Sequence, residues 1–552
     1  MTAKALMVQG TASHVGKSLL VAGLCRVLRE DGVRVAPFKS WNMALNSFVT
    51  ACGGEIARSQ AMQAEAAGVE PSVDMNPVLL KPSSPEAAQE VVLGRPWGLV
   101  RAAEFSPERS RELARVMRGA LERLRAQFEA VVIEGAGSPA EVNLRRWDLA
   151  NMRVAAWARA PVLMVADIDR GGALASLVGT LDLLARRDRA RVRGIIINKF
   201  RGHVGLLEPA LRWLRRRTGV PVVGVVPYLH DLRLPEEDTL EPGAEASVPA
   251  ARPLDLAVVF LPHLSNFTDF DPLAAEPGVA VRYVSASRPL GRPHALILPG
   301  TKNTVEDLRW LWGSGLPARI RALAREGVPV LGICGGFQML GREVQDPLGV
   351  ESSERRVPGL DLLPVTTGLE AEKVTSRVRA RARGGPGPFS RLAGAEIEGY
   401  EIHMGRTRVG EGANPFAEIT WRDGEAVSQP DGAVALCGAG ATAGVAARAG
   451  AGAGAGSGVG AGSGVVAGTY IHGLFDATGF RRPWLEGLRL WWGLGPSPAG
   501  EHSGSAREAR EQGYARLARE LRACLDMAAV YRLLGLTSAP GPAPGSGPGG
   551  GR

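Results

Sequence analysis

The segment Gly10-Thr-Ala-Ser-His-Val-Gly-Lys-Ser18 has the glycines, lysine and serine of a phosphate-binding loop, at the spacing that such loops require. A β-like apolar run precedes it and a helical pattern follows it, so the loop would join a strand to a helix. Backbone N–H groups would then cradle phosphates, Lys17 would reach the terminal phosphate, and the Ser18 hydroxyl would bind Mg²⁺. We predict a nucleotide site made of Gly10, Thr11, Gly16, Lys17 and Ser18.

Two charged residues end other β-like runs of the same region. Lys39 and Glu134 each stand where a short apolar run stops. Because parallel strands present ligands at their carboxyl ends, we predict that Lys39 contacts a phosphate or a carboxylate and that Glu134 completes the Mg²⁺ shell. Asp167 and Asp169 end a further run and are weaker candidates for binding metal or substrate.

The predicted nucleotide is ATP. Asn198 and Lys199 end another β-like run and could meet the base or the ribose, but no aspartate follows at the spacing that specifies guanine. We therefore expect ATP rather than GTP, with Mg²⁺ as its metal.

A single cysteine marks a second site. Cys334 lies between a β-like run and two glycines in Leu331-Gly-Ile-Cys-Gly-Gly-Phe-Gln-Met-Leu340, where a helix-like segment begins. A nucleophile on so tight a strand-to-helix turn is pushed out of the surface, and the positive end of the helix favours its thiolate. We predict that Cys334 is an exposed nucleophile.

Such a nucleophile needs a proton carrier and donors for an oxyanion. His472, in Gly468-Thr-Tyr-Ile-His-Gly-Leu-Phe475, closes a β-like run and is the predicted base. The N–H groups of Gly335 and of the loop that contains Gly300 are the predicted oxyanion donors.

Lysine is scarce, with seven residues against 58 arginines. Where lysine persists, we suppose that the position needs a compact ammonium group that a planar guanidinium cannot replace. We make that hypothesis for the lysines in motifs, and expect Lys4 and Lys373 to be exceptions without a special role.

Composition limits the classes of function. The chain has 552 residues and a formal charge of +9, but no basic run interleaved with aromatic residues, so we expect no nucleic-acid partner. Five widely spaced cysteines argue against disulfides or a zinc site, and no signal peptide or membrane span is evident. We expect a cytoplasmic location, no membrane association and no obligate protein partner.

The order of elements predicts two α/β domains. Up to about residue 235, apolar β-like runs alternate with helical patterns, which is typical of a doubly wound parallel sheet. A second series follows, with predicted strands that include Leu256–Leu261, Val279–Val284, Ala295–Leu298 and Val328–Ile333.

Composition also sets the predicted domain limits. We expect an ATP-binding domain at 1–235, a linker at 236–253, a second domain at 254–537 and a disordered tail at 538–552. A Gly/Ala/Ser tract at 438–467 carries too little side chain to offset its ordering entropy, so we expect a flexible insertion there.

Several longer segments carry a family resemblance. Because of these segments, the chain resembles the glutamine-hydrolysing cobyric acid synthase family from residue 4 to about 535. The segments are MVQGTASHVGKSLLVAGLCRVL, PFKSWNMALNS, MNPVLLKP, EGAGSPAEVNL, LPGTKNT, GICGGFQMLG, EGYEIHMGRT and GTYIHGLFD.

The resemblance implies a fold and a reaction. The fold would be a dethiobiotin-synthetase-like P-loop domain joined to a class I glutamine amidotransferase domain. The reaction would amidate the b, d, e and g carboxylates of adenosylcobyrinic acid a,c-diamide, with glutamine and ATP consumed each time. Four residues of the family segments would line the corrinoid pocket: Asn42, Asn46, Asn76 and Lys81.

One departure concerns the second site. Many class I amidotransferases carry a glutamate two residues after the histidine, whereas Gly473 and Leu474 follow His472. We therefore expect Cys334 and His472 to act as a dyad, and what orients the imidazole is left open.

Two rival functions are considered. One is the related synthase that amidates the a and c carboxylates, and the NMALNS and MNPVLLKP segments argue against it. The other is a P-loop regulatory ATPase with an inert second domain, which the retention of Cys334 and His472 disfavours.

Overall fold

The structure, a computed structural model of the chain, describes residues 2–84, 86–101, 106–235, 253–286, 290–437, 464–497 and 504–536. Nearly all of the predicted linker, most of the predicted Gly/Ala tract and the whole predicted tail lie outside these residues. Within them, no helix has both the length and the apolar character needed to cross a membrane.

The elements of the first part of the chain are numbered in chain order. The strands are β1 (Lys4–Gly10), β2 (Val35–Phe38), β3 (Trp41–Met43), β4 (Ser47–Val49), β5 (Glu55–Ala57), β6 (Val78–Pro82), β7 (Ala87–Val92), β8 (Arg95–Arg101), β9 (Ala130–Glu134), β10 (Val162–Asp167), β11 (Val192–Phe200) and β12 (Val222–Pro227). The helices are α1 (Lys17–Glu30), α2 (Arg58–Ala67), α3 (Pro107–Gln127), α4 (Met152–Ala158), α5 (Ala173–Leu183), α6 (Arg186–Arg189) and α7 (Val204–Thr218).

Six of these strands form one parallel sheet in the order β12-β11-β10-β1-β9-β2. Its strands are continuous apolar runs because helices cover both faces and bury the side chains on each. The predicted doubly wound parallel sheet is confirmed. Since β9 lies between β1 and β2, the carboxyl ends of these three strands are neighbours.

A small mixed addition follows β2, in which β3 and β6 are parallel and β6, β7 and β8 are antiparallel. Its strands pair in the order β3-β6-β7-β8, with β4 and β5 forming a separate pair. The sequence interpretation did not predict these strands. They carry the segments NMALNS and MNPVLLKP, which places both segments close to the second half of the chain.

The elements of the second part continue the numbering. The strands are β13 (Leu254–Val259), β14 (Val279–Val284), β15 (Ala295–Leu298), β16 (Val330–Ile333), β17 (Glu343–Gln345), β18 (Arg356–Pro358), β19 (Val365–Ala382), β20 (Glu396–Val409), β21 (Ala417–Arg422), β22 (Glu425–Asp431), β23 (Ala433–Leu436) and β24 (Val465–Thr469). The helices are α8 (Asp271–Ala274), α9 (Thr304–Gly313), α10 (Leu316–Arg325), α11 (Gly335–Leu340), α12 (Thr478–Trp491), α13 (Ala506–Cys524) and α14 (Met527–Leu534).

A second α/β sheet has the order β14-β13-β15-β16-β24-β23, in which only β23 is antiparallel. A third sheet is built on β19, in which β17 is parallel to β19 and the other pairs are antiparallel. The end of the predicted flexible tract is corrected here: Val465, Val466 and Ala467 are fully buried in β24. This short apolar run is long enough to pair with β16, so the insertion ends before it.

The last two helices pack on the first domain, although the predicted second domain at 254–537 includes them. Leu517 and Leu521 of α13 belong to the same buried cluster as Leu24 of α1. The approach is close, since a Cβ atom on Gly23 would lie 2.4 Å from Leu521 Cδ1. The apolar stripe of α13 therefore covers α1 and adds to the core of the first domain.

Candidate functional site

The phosphate-binding loop joins β1 to α1 as predicted. A Cβ atom on Gly10 would lie 2.8 Å from Ala12 O and 3.0 Å from Lys17 Nζ, so the loop closes tightly only around glycine. Gly16 has a φ of 90°, and Lys17 begins the helix. Thr11 N donates to Val165 O at 2.9 Å, which ties the loop to β10. This compact turn of backbone at a helix start has the shape of a phosphate cradle.

Lys17 lies across the mouth of that loop. Its Nζ donates to Ala12 O at 2.9 Å. Burial, opposed by the charge of Glu134, lowers the pKa of Lys17 to about 8. A phosphate would stabilise the charged form of this ammonium, so nucleotide binding and protonation of Lys17 favour each other.

Ser18, Lys39 and Glu134 meet at the carboxyl edge of the sheet. Ser18 Oγ donates to Glu134 Oε1 at 3.0 Å, and Lys39 Nζ donates to the same oxygen at 2.8 Å. Burial disfavours the ionised carboxyl of Glu134, but the Lys39 charge and the bonds of Lys39 and Gln63 outweigh it and lower its pKa. A hydroxyl and an ionised carboxylate at a phosphate loop are oxygen ligands that Mg²⁺ prefers, so these side chains fit that metal.

Two glutamines of α2 complete this cluster, and the sequence interpretation missed them. Gln63 Nε2 donates to Glu134 Oε2 at 2.5 Å, and Gln60 Nε2 lies 3.4 Å from the same oxygen. Both side chains are fully buried. The available signal was their spacing, since residues three apart share a helix face and buried glutamines need partners.

The weaker candidates on β10 and β11 brace the loop. Asp167 Oδ2 pairs with Lys199 Nζ at 3.2 Å, and Asp169 Oδ1 pairs with Arg201 at 2.7 Å. Asn198 Nδ2 donates to Val15 O in the phosphate loop at 2.8 Å. Lys199 Nζ also donates to His14 O at 2.7 Å, so Asn198 and Lys199 hold the loop.

Cys334 occupies the turn between β16 and α11. Its φ of 52° is in the left-handed region, a strain of about 1–3 kcal/mol for a residue with a side chain. The predicted exposure is wrong, because Cys334 is only 5% exposed. Strand β20 covers it, and Sγ donates to Ile402 O at 3.4 Å.

His472 follows β24 and is 1% exposed. Its Nδ1–H donates to Asp269 Oδ2 at 2.7 Å, and the other oxygen of Asp269 accepts from Gly473 N at 3.1 Å. The predicted dyad is therefore incomplete, because Asp269 orients the imidazole. The sequence interpretation missed Asp269 because it lies on a 3₁₀ helix (Phe267–Phe270) far from His472 along the chain.

The surroundings of His472 favour its charged form. Burial disfavours the imidazolium, but the charges of Asp269 and Cys334 outweigh burial and raise the pKa of His472 to about 10. The ring of Tyr400 stacks on the imidazole, with centroids 5.3 Å apart and planes 18° from parallel. Charge and packing both fix the ring.

Gly300 and Gly335 lie at the same site. A Cβ atom on Gly300 would lie 2.8 Å from His472 Cε1, and one on Gly335 would lie 2.5 Å from Thr301 Cγ2. Both positions need glycine because the neighbouring groups approach so closely. Their role as oxyanion donors stays a prediction.

The first domain reaches this second site. Asn46 Oδ1 accepts from Phe267 N at 3.1 Å, and Ser47 N donates to Asn266 Oδ1 at 2.9 Å. Asn266 Nδ2 in turn lies 3.3 Å from His472 Nε2. Asn46 holds the segment that carries Asp269, and its role in a corrinoid pocket stays a prediction.

A buried cluster of charges crosses the same boundary. Lys81 Nζ donates to Glu55 Oε1 at 2.7 Å, and Lys373 Nζ donates to Glu55 Oε2 at 2.5 Å. Lys81 and Glu55 both belong to the first domain, and Lys373 of the second domain joins them at the boundary. The expectation that Lys373 has no special role is wrong, because its ammonium is buried and pairs with a carboxylate of the other domain.

The remaining asparagines of these segments make internal contacts. Asn42 Nδ2 donates to Gln60 Oε1 at 2.9 Å, which connects β3 to the cluster around Glu134. Asn76 Oδ1 accepts from Ala57 N at 3.0 Å. Both side chains are buried, so they shape the first domain.

Two family models match the two domains of the chain. Residues 4–236 match a family described as an AAA domain, and residues 255–480 match the CobB/CobQ-like glutamine amidotransferase domain. The first match covers the phosphate loop, and the second covers Cys334, Asp269 and His472. Fold and sites therefore define an ATP-using amidoligase that carries its own glutamine amidotransferase domain.

Relatives extend over almost the whole chain and share one name. A cobyric acid synthase of Pelotomaculum thermopropionicum is 51% identical over 551 residues, with 99% of each chain covered. One of Sorangium cellulosum is 49% identical, covering 97% of this chain and 99% of its own, and one of Desulforamulus reducens is 45% identical, covering 97% and 98%. The chain belongs to the cobyric acid synthase family of cobalamin biosynthesis.

Proposed function

We propose that the chain converts adenosylcobyrinic acid a,c-diamide to adenosylcobyric acid, by amidating the b, d, e and g carboxylates with ammonia from glutamine and energy from ATP. The supporting observation is that one chain holds a Cys334–His472–Asp269 site and a phosphate loop with Glu134. The direct contact of Asn46 with Phe267 links the two sites.

Glutamine hydrolysis is assigned to the second site. The thiolate of Cys334 attacks the carboxamide carbon, and the N–H groups of Gly300 and Gly335 donate hydrogen bonds to the oxyanion that forms. His472, held by Asp269, gives its proton to the leaving nitrogen and releases ammonia. Water, activated by His472 as the base, then hydrolyses the glutamyl thioester to glutamate and regenerates the Cys334 thiol.

Amidation is assigned to the first site. Lys17 and the backbone of the loop hold the terminal phosphates of ATP, and Ser18 and Glu134 would hold Mg²⁺. The metal, when bound, neutralises phosphate charge. Transfer of the γ-phosphoryl group to a corrinoid carboxylate gives an acyl phosphate, and ammonia displaces phosphate from it. Lys39, which pairs with Glu134, is assigned the neutralisation of a phosphate or of the reacting carboxylate, and its position at this edge of the sheet supports that role.

Mass spectrometry of the corrinoid after incubation with ATP and glutamine tests the proposal. Four successive conversions of carboxyl to carboxamide on the a,c-diamide are expected. Amidation of the a and c positions of cobyrinic acid would instead support the related a,c-diamide synthase, and no mass change with any corrinoid would contradict the proposal. Replacing glutamine by ammonium chloride is the control, since it bypasses the second site.

A further inference from the structure

A narrow cavity of about 40 Å³ lies beside Cys334 and is lined by both domains. Lys81 and Gln89 come from the first domain, and Lys302, Glu351 and Lys373 come from the second. Three lysine side chains line it, and because their stems are flexible the cavity can widen around a larger molecule. Any substrate whose carbonyl reaches Cys334 must place its other end among these charges.

The three lysines of the cavity differ in one respect. Lys81 and Lys373 share the carboxylate of Glu55, so both already have a partner. Lys302, in contrast, has no hydrogen-bond or ion-pair partner for its ammonium anywhere in the described part of the chain. Burial lowers the pKa of Lys302, and the opposing charge of Glu351, which is not bonded to it, does not cancel this effect.

A carboxylate stands elsewhere in the cavity. Glu351 Oε2 accepts from Thr304 N at 2.6 Å and from Val305 N at 3.2 Å, at the start of α9. Burial raises the pKa of Glu351 to about 7. Among the described residues, Glu351 and Lys302 do not form an ion pair with each other. The cavity therefore offers one positive and one negative group that influence each other through their charges.

Glutamine has the complementary charges. When its carboxamide lies at Cys334, the α-carboxylate and the α-ammonium both remain to be placed, and buried charges need partners. We propose that Lys302 binds the α-carboxylate of glutamine, with Glu351 as the partner of the α-ammonium, so that this pair makes the site specific for an α-amino acid. The inference deepens the proposed glutaminase function and rests on it.

The composition of the chain supports a particular need for lysine here. Arginine is the usual cation of this sequence, yet position 302 is lysine. Lys302 lies only two residues after Gly300, so its stem starts at the predicted oxyanion loop. A compact ammonium fits a narrow cavity that a planar guanidinium would fill.

Steady-state glutaminase kinetics with two substrates tests this assignment. The substrates are glutamine and 4-aminobutanamide, which is glutamine without its α-carboxylate. For Lys302→Met we expect KM for glutamine to rise about 10- to 150-fold, the range for losing one charged hydrogen bond. We expect kcat to change less than KM, and kcat/KM for 4-aminobutanamide to stay at the wild-type value.

Two further variants complete the design. Lys302→Gln repeats the loss of charge with a polar side chain, in case the methionine variant folds poorly. Lys4→Met is the matched control, because Lys4 is an exposed lysine of the first strand, and it should behave as wild type with both substrates. Ammonia-driven amidation by each variant shows that the fold and the first site are intact.

The outcomes separate the possible roles of Lys302. An equal loss of kcat/KM with both substrates would overturn the assignment, and so would a fall in kcat at unchanged KM, which would make Lys302 an oxyanion partner. Wild-type protein that hydrolyses neither substrate but amidates with ammonia would contradict the glutaminase function itself. That result differs from the result that overturns Lys302 alone.

Discussion

Replacing Asp269 by asparagine should impair glutamine hydrolysis without affecting ATP-driven chemistry. The carboxylate of Asp269 makes a 2.7 Å bond to His472 Nδ1 in a site where both side chains are at most 5% exposed. Asparagine keeps the shape but removes the charge. A hydrogen bond to a charged group contributes about 1.5–3 kcal/mol, which corresponds to about a 10- to 150-fold loss of kcat.

The raised pKa of His472 predicts the direction in which the pH profile of glutaminase activity shifts when Asp269 is replaced. In the folded protein the pKa of His472 is raised from 6.5 to about 10, so the imidazolium persists at neutral pH. The stabilisation that this charge provides is fully present below pH 6.5 and is lost as the pH rises through about 10. Without the carboxylate, burial remains and lowers the pKa, so the limb of the kcat/KM profile that reports His472 should move to lower pH.

Glutaminase assays across pH, together with ammonia-driven amidation, make the measurement. Asp271→Asn is the matched control, because Asp271 is an exposed aspartate two residues away, and its profile should match the wild type. If Asp269→Asn kept wild-type kcat and an unshifted pH profile, Asp269 would not position His472. If it also lost ammonia-driven amidation, its effect would be on folding.

Three other predictions concern different parts of the molecule. Lys17→Met should reduce amidation about 100-fold or more with either nitrogen source while glutaminase activity persists, because one cation on a transferring phosphoryl group has an effect of that size; equal amidation rates would refute the ATP assignment. Gly300→Ala places a methyl group 2.8 Å from His472 Cε1, so kcat for glutaminase should fall while ammonia-driven amidation is kept. Glu55→Gln leaves two buried ammonium groups without their carboxylate and should lower the free energy of unfolding by about 3–5 kcal/mol in urea titrations at pH 7. Burial opposes ionisation of Glu55, but Lys373 and Lys81 lower its pKa, so its stabilisation is present at neutral pH and disappears as acid protonates it; a stability difference that persisted in strong acid would contradict this.

The parallel sheets were predictable from the sequence because their strands are short apolar runs, and several of these runs stop at a charged or nucleophilic residue. The strand Ala130–Glu134 ends at Glu134, where the sequence predicted an apolar run to stop, and Glu134 lies at the carboxyl end of a parallel strand. The same rule located Lys17 and Cys334. The spacing of residues along the chain is sufficient to predict such sites, because residues that are close in sequence form them.

Asp269 could not be found by that rule. It comes from the loop after the first strand of its domain, and only the fold brings it to His472. The contacts of Asn46 and Lys373 form only when one domain docks on the other. The periodicity of the sequence carries no information about that docking. The stripe of α13 likewise indicates a buried face but not the core that it covers.

The strands around β19 and β20 were missed for a different reason. Their residues alternate between buried and exposed positions, and the exposed ones are largely charged. Such a strand has no continuous apolar run, so it resembles a polar loop when read along the chain.

The most direct test of the account is Cys334→Ser, assayed for corrinoid amidation with glutamine and separately with ammonium chloride. We expect no amidation with glutamine, because the thiolate is absent, and wild-type amidation with ammonia, because the first domain is intact. Glutamine-driven amidation by this variant would contradict the claim that Cys334 supplies the nitrogen for the reaction at the phosphate loop.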